Sequence, residues 1–118
     1  MNTDNYIRDM YAVVDGMNGA ALAAMMTEDA TFRFANLPPV KGREAITAFL
    51  DNFYGSIKAI RHDQLEDWKI GDTRFATGMV NYTRHNDSML SVPFAVILRM
   101  QSGLIREYLI FVDTSELY

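Results

Sequence analysis

The sequence contains no cysteine, and this absence removes two kinds of chemistry. Without thiols the chain can form neither disulfides nor a thiolate nucleophile, and it is compatible with a reducing compartment. Its first residues, MNTDNYIRDMY, show neither the basic nor the apolar segment of a secretory signal. Because no apolar run approaches the length that spans a bilayer, we expect a cytoplasmic protein without a membrane partner.

Clusters of positive charge are also missing. The 118 residues carry a formal net charge of -4 at pH 7 and contain no run of lysine or arginine. We therefore expect no nucleic acid and no anionic membrane as partner. The two histidines and the scattered carboxylates show no metal-ligand spacing, and no phosphate-binding glycine loop is present. The sequence thus predicts a protein without metal or cofactor.

The chain is rich enough in hydrophobic residues, at 49%, to build the core of a single domain over residues 1–118. Apolar residues at helical spacing predict helices over 3–15, 19–26 and 42–54. Alternating patterns predict strands at about 30–35, 60–68, 74–84, 89–100 and 104–113. Short turns join the last strands, which indicates an antiparallel meander. Pro93 lacks a ladder donor, and we expect a bulge or a sheared edge there.

Three helices cannot all pack on one flat face of so small a sheet. The order of elements therefore predicts an α+β fold in which a strongly curved, mainly antiparallel sheet wraps around three N-terminal helices as a cone. Such a cone leaves an open concavity between sheet and helices, where a small molecule can bind.

This order of elements resembles the SnoaL-like branch of the nuclear transport factor 2-like superfamily. The segments FRFANLPPVKGREAI, before the third helix, and GLIREYLIFVD, in the last strand, carry the resemblance, which covers nearly the whole chain. That branch includes polyketide cyclases, limonene-epoxide hydrolase and relatives of ketosteroid isomerase. The resemblance implies a cystatin-like α+β barrel with its site inside the cone, and a homodimer formed through the outer sheet face. It does not specify the reaction, because this fold hosts many activities.

The epoxide hydrolase of this family differs from the chain at key positions. There, a tyrosine and an asparagine of an aromatic-x-Asn-x-Pro segment hold the attacking water, and the matching stretch here is FANLP. Asn36 is kept, but Phe34 has no hydroxyl group. The family's base aspartate corresponds to Ile110, which cannot accept a proton. The resemblance thus disfavours epoxide hydrolysis and leaves Asn36 as a hydrogen-bonding residue of the pocket.

His62 is the leading candidate for proton transfer, because histidine titrates near neutral pH. Matching RHDQLEDWKIG to the family's second strand places His62 on the pocket wall. The alternative is a half-buried histidine at a helix-to-strand turn, and we expect His85 to be solvent-exposed. Tyr82 shares a strand face with Arg84. If that face points inward, Tyr82 donates to an enolate; if it points outward, Tyr82 belongs to a dimer interface.

The remaining candidates form the wall of the pocket. The resemblance places the face of Arg106, Tyr108 and Ile110 inside the cone, although a packed aromatic residue explains Tyr108 equally well. We expect Asp113 to cap the turn that follows the last strand. Further lining positions are Tyr11, Phe34, Phe94 and Val96.

These residues predict a cofactor-free acid–base enzyme, a cyclase, isomerase or hydratase, with His62 and Tyr82 as catalytic residues. Its partner is a hydrophobic small molecule, for which a polycyclic compound is one option. The alternative is a ligand-binding or dimerising domain of the same fold without catalysis, which the isoleucine at position 110 favours.

Overall fold

The computed structural model describes residues 4–118, in which three helices and six strands are formed. The helices are α1 (Tyr6–Asp15), α2 (Gly19–Ala23) and α3 (Arg43–Gly55). The strands are β1 (Met26–Phe34), β2 (Val40–Lys41), β3 (Ala59–Ile70), β4 (Thr73–Thr83), β5 (Met89–Gln101) and β6 (Leu104–Val112). Thr3, the first residue of the predicted first helix, lies outside the described residues.

The six strands form one sheet in the order β2-β1-β6-β5-β4-β3. Neighbouring strands run antiparallel except β1 and β6, which run parallel. Within residues 4–118, β2 and β3 are the two edges of this sheet, so it stays open and does not close into a barrel. The predicted α+β fold, with a curved and mainly antiparallel sheet around N-terminal helices, is confirmed.

The helices cover the concave face of the sheet with their apolar sides. Ile7, Met10, Tyr11 and Val14 of α1 are all buried, as the helical spacing predicts. This helix contacts β3, whereas α3 contacts β1 and β2. The core therefore lies between the three helices and the inner face of the sheet, and a cavity between them has walls from both.

A bulge bends β3 next to the helices. Between Asp63 and Glu66, β3 contains one residue more than the facing segment of β4. Gln64 has φ of 54° there, a left-handed conformation. Opposite the bulge, a Cβ at Gly78 would lie 2.7 Å from the Asp63 carbonyl oxygen. Glycine at this position is what allows the two strands to approach, and the extra residue increases the local bend and twist.

The bulge also makes the predicted alternation along β3 wrong. The sequence pattern placed His62, Glu66 and Trp68 on the same side of the strand. The extra residue reverses the alternation, so that Leu65 packs against the core while Trp68 is 38% exposed. A one-residue shift moves every following side chain to the opposite face.

The start of β1 differs from the prediction. The helix predicted over 19–26 ends at Ala23, and the strand begins at Met26 rather than near residue 30. The Arg43 guanidinium donates two hydrogen bonds to the Met26 carbonyl oxygen, at 2.9 and 2.6 Å, which holds this irregular segment in the sheet. No register shift occurs at Pro93; instead, pairing of β5 with β6 begins at Phe94.

Candidate active site

A cavity of about 40 Å³, measured as the space open to the centre of a water molecule, lies inside the cone. Half of the residues that line it are phenylalanine or tyrosine, and of the described residues no lysine or arginine reaches it. Its size corresponds to about three water molecules. The wall is therefore apolar and aromatic, with histidine and tyrosine as its polar groups.

His62 lies on this wall and is paired with Asp15. The Nδ1–H of His62 donates to Asp15 Oδ1 at 2.6 Å, and the backbone N–H of His62 donates to Asp15 Oδ2 at 3.0 Å. The His62 side chain is only 8% exposed. Because a carboxylate accepts from Nδ1–H, the pair selects the tautomer in which Nε2 carries the lone pair. Nε2 makes no hydrogen bond with any residue from 4 to 118 and is left for a ligand.

Aromatic neighbours hold the imidazole ring in place. The Tyr11 ring lies 4.3 Å from the His62 ring, centroid to centroid, and the Phe94 ring meets it edge-on at 5.1 Å. Tyr11 precedes Asp15 by one turn of α1, so a single helix supplies both the ring that stacks on the histidine and the carboxylate that orients it.

Two buried tyrosines extend the polar part of the wall. Burial raises the pKa of Tyr11 well above its ordinary value, and the neighbouring Tyr108 raises it further. Burial also raises the pKa of Tyr108. Both groups are neutral hydroxyls at physiological pH. Because two hydroxyls that share a hydrogen bond use only one of their two protons, the other proton is free for a ligand.

Tyr82 and Tyr54 complete the set of hydroxyl groups. Burial, and then the nearby Tyr118, raise the pKa of Tyr82, which lines the cavity. Burial raises the pKa of Tyr54 to about 12, with further contributions from the Asp15 and Asp51 carboxylates. The Tyr54 hydroxyl is buried and has no hydrogen-bond partner within the described part of the chain. The ring of Tyr54 contributes to the cavity wall.

Sequence reasoning missed Asp15 and Tyr54, although each had a signal. Asp15 continues the buried row of Ile7 and Tyr11 at four-residue intervals, and Tyr54 continues the row of Ile46 and Leu50 in the same way. A carboxylate in the last turn also opposes the helix dipole, which favours a cationic or hydrogen-bonding partner nearby. Its partner on β3 is visible only in the fold.

Most predicted site residues do meet in one place. The predicted residues that line the cavity are Tyr11, Phe34, His62, Tyr82, Phe94, Tyr108 and Ile110. Val96 does not line it and is buried in the core at 2% exposure. Asn36 is an exposed turn residue in an outer groove of about 430 Å³. The face of β4 that carries Tyr82 points inward.

The neighbouring charged residues lie elsewhere. The Arg84 guanidinium donates to the carbonyl oxygens of Glu116 and Leu117, at 2.8 and 2.9 Å, and so ties down the C-terminal segment. Asp113 accepts from the Ser115 backbone N–H at 2.9 Å, so the predicted turn cap is confirmed. His85 is exposed, as expected.

The prediction that Arg106 faces the cavity is wrong. A register shift in the pairing of β5 with β6 turns Arg106 outward, where it is exposed, while Ile105 and Tyr108 on either side of it are buried. The bulge thus lengthens the interval between inward side chains from two residues to three.

No helix within residues 4–118 is long and apolar enough to cross a membrane. Over the same range, no three His, Cys, Asp or Glu side chains are grouped so that they could hold a metal ion.

The open curved sheet, the three helices and the enclosed cavity define a protein of the ketosteroid isomerase-like, or nuclear transport factor 2-like, fold. The profile of the SnoaL-like domain matches residues 7–108. The chain therefore belongs to the SnoaL-like family, and the resemblance noted from the sequence is confirmed. A search of curated proteins gives no match.

Solved structures agree with this assignment. A protein with a ketosteroid isomerase-like fold from Catenulispora acidiphila, solved with trimethylamine, has a TM-score of 0.87 at 20% identity, covering 97% of this chain and 89% of that chain. A candidate polyketide cyclase from Xanthomonas campestris has a TM-score of 0.85 at 17% identity, with coverage of 94% and 90%. A candidate isomerase from Bacillus subtilis has a TM-score of 0.79 at 15% identity, with coverage of 91% and 83%. At these identities the likeness shows the fold alone.

Proposed function

We propose that the protein is a cofactor-free acid–base enzyme that moves a proton on a hydrophobic carbonyl compound, as a cyclase, isomerase or hydratase does. The observation that carries the proposal is the hydrogen-bonded pair of His62 and Asp15 at the wall of an apolar cavity. An oriented imidazole with one free nitrogen is the usual arrangement of a general base. Asp15 takes the orienting role for which the sequence offered no residue.

The proposed reaction begins at Nε2 of His62, which accepts a proton from the carbon next to the substrate carbonyl. The electrons of that C–H bond move into the carbon–carbon bond, and those of the carbonyl move onto its oxygen to form an enolate. The Tyr11–Tyr108 pair donates a hydrogen bond to this oxygen through its free hydroxyl proton, with Tyr82 as a further donor. Asp15 stabilises the imidazolium, which then returns its proton to another atom of the substrate.

Size and charge of the cavity support a compact, neutral reacting group. The wall is largely aromatic and, within the described residues, carries no lysine or arginine to neutralise a permanent anion. One structural relative was solved with trimethylamine, which supports a small ligand, and the relatives described as a candidate cyclase and a candidate isomerase support small-molecule chemistry.

The test is hydrogen exchange on a simple ketone. Methyl ethyl ketone in deuterated buffer is followed by proton NMR, and the wild-type protein is expected to accelerate loss of the signals next to the carbonyl. His62→Gln is expected to slow this exchange by about a hundredfold or more. His85→Gln, which changes the exposed histidine, serves as the control. Equal exchange by His62→Gln and wild-type protein would contradict the proposal.

The alternative function is a binding domain without catalysis. The isoleucine at position 110, where the epoxide hydrolase of the family has its base, favours this alternative. It is supported if the ketone binds in NMR titrations but exchanges no faster with protein than in buffer alone.

We also propose a homodimer that forms through the outer face of the sheet. Four apolar side chains lie in register across this face, one on each of four neighbouring strands: Trp68, Phe75, Ile97 and Leu109. Phe111, 53% exposed, adds to the same face. A continuous apolar row of this kind on an outer sheet face is typical of a protein interface.

A further inference from the structure

The inner cavity adjoins a much larger groove at the mouth of the cone. The cavity has about 40 Å³ and the groove about 430 Å³. Phe34, Phe53 and Val112 line both spaces and separate them, and we call these three side chains the neck. The rings of Phe34 and Phe53 lie 4.9 Å apart, centroid to centroid, which is the distance of two rings in contact. A molecule that reaches His62 from the groove must therefore part these side chains.

The small volume of the cavity limits what can lie beside His62. Pockets for small molecules usually measure about 300 to 1,000 Å³. The inner cavity holds only a few non-hydrogen atoms, whereas the groove falls within that range. The reacting group of a larger substrate therefore fits inside only if the rest of the molecule is narrow at the neck and lies in the groove.

The groove is lined by both apolar and polar residues. Leu37 and Tyr118 expose 46% and 79% of their surface there, and Asn36, Asp113 and Ser115 add polar groups. Hydrogen bonds from the backbone and side chain of Ser115 lower the pKa of Asp113, so this residue is an anion at neutral pH. Within residues 4–118 no lysine or arginine lines the groove, which disfavours a negatively charged group.

A strained backbone places Asn36 at this groove. Ala35 has φ of 52°, a conformation that alanine rarely adopts. Its N–H donates to the Ile110 carbonyl oxygen, and the Leu37 N–H donates to the Phe34 carbonyl oxygen, both at 3.0 Å. These bonds hold the turn in its strained form. The Asn36 side chain makes no hydrogen bond with any described residue, so its amide is available to a ligand.

We infer that the substrate is an elongated, uncharged molecule whose two ends occupy different spaces. A compact carbonyl head passes Phe34 and Phe53 into the cavity, an apolar chain lies in the groove, and a neutral polar end, such as a hydroxyl, binds Asn36. The assignment of a carbonyl group to the head of the substrate rests on the proposed function. The division of the substrate into a head and a tail does not depend on it, because binding measurements alone can test that division.

The first experiment measures how binding depends on the length of the tail. Methyl ketones with alkyl tails from ethyl to hexyl are titrated into isotope-labelled protein and followed by NMR. Dissociation constants are expected to fall about twofold to fourfold for each added methylene. The side-chain amide signal of Asn36 is expected to shift with the hexyl ketone and not with the ethyl ketone. Decalone, whose fused rings are bulkier than an alkyl chain and so harder to pass between Phe34 and Phe53, is expected to bind more weakly than methyl hexyl ketone.

The second experiment tests two polar residues of the groove, Asn36 and Asp113. A hexyl ketone with a terminal hydroxyl is compared between wild-type protein and Asn36→Ala, for which a loss of about tenfold in affinity is expected. Asn52→Ala, the same change at an exposed position of α3 outside both spaces, is the matched control. Replacing the hydroxyl by a carboxylate is expected to weaken binding about tenfold, and Asp113→Asn is expected to reduce that difference. Asp72→Asn, at the opposite end of the strands, controls for net charge.

The inference is overturned if affinity does not rise with tail length, or if decalone binds at least as tightly as methyl hexyl ketone. It is also overturned if Asn36→Ala and Asn52→Ala bind the hydroxyl-terminated ketone equally well. These are binding results. If the protein does not accelerate hydrogen exchange on the ketone, the proposed enzyme is contradicted. The dependence of binding affinity on tail length can still be measured in that case.

Discussion

His62 Nδ1 and Asp15 Oδ1 lie 2.6 Å apart, although the residues are 47 positions apart in the chain. Asp15 ends the first helix and His62 is near the start of β3, so the pair also links the helical layer to the sheet. Asp15 makes a second hydrogen bond to the His62 backbone N–H. The carboxylate thus holds both the ring and the strand that carries it.

Asp15→Asn is expected to reduce ketone exchange by about tenfold to a hundredfold, because the imidazole loses its orienting acceptor. The variant is also expected to lose about 1 to 3 kcal/mol in the free energy of unfolding, since the hydrogen bonds to His62 weaken. NMR exchange rates and urea unfolding measure the two effects. Asp9→Asn, an exposed acid on the same helix, is the control. Similar exchange rates for the two variants would show that Asp15 has no orienting role.

Tyr54→Phe is expected to stabilise the protein by about 1 kcal/mol, because it removes a buried hydroxyl that lacks a partner within the described residues. Tyr108→Phe is expected to do the opposite by a similar amount, since the hydrogen bond between the Tyr11 and Tyr108 hydroxyls is then lost. Urea unfolding of both variants measures the difference. Destabilisation by Tyr54→Phe would show that an ordered water binds this hydroxyl.

The buried tyrosines predict a loss of stability in alkali. The pKa of Tyr54 is raised from 10.0 to about 12, and those of Tyr11, Tyr82 and Tyr108 are raised as well. The unfolded chain therefore releases these protons first, so the stability that they contribute is complete below about pH 10 and declines as the pH rises toward and beyond 12. Urea midpoints should fall across this range. In a Tyr118→Phe variant, which lacks the exposed tyrosine, tyrosinate absorbance should rise together with unfolding. A rise in absorbance well before unfolding would contradict the prediction.

Gly78→Ala is expected to destabilise the protein by about 1 to 3 kcal/mol. The new Cβ would lie 2.7 Å from the Asp63 carbonyl oxygen and 2.9 Å from the Phe94 ring, so backbone and core would both have to shift. Gly55→Ala is the matched control, because no described atom lies within 4 Å of a Cβ there. Thermal unfolding compares them, and equal midpoints would rule out a close approach at the bulge.

Trp68→Glu is expected to convert the proposed homodimer into a monomer, since it places a charge in the apolar row of the outer sheet face. Sedimentation of wild-type and variant protein at several concentrations measures the mass. Leu37→Glu, an exposed apolar residue at the mouth of the cone, is the control and should leave the mass unchanged. A monomeric wild-type protein would contradict the proposal directly.

Several elements were predictable because their signals are local. The face of α1 and the four long strands follow from residue spacing and turn chemistry alone, and all are present. The β3 bulge was not predictable, because Gln64 carries no turn signal and the constraint lies in the facing Gly78. The start of β1 was missed for a similar reason: Met26 is held by Arg43, which is distant in sequence.

The sequence by itself determined the fold family and seven lining residues of the cavity, because periodic patterns and family motifs can be read from the sequence alone. Only the tertiary structure decided which polar groups act together. In the folded chain His62 pairs with Asp15, and the Tyr54 hydroxyl has no hydrogen-bond partner among the described residues. Asn36 lies in the groove outside the cavity. Such pairings depend on bulges, strand register and the placement of helix ends, where a shift of one residue turns a side chain to the opposite face.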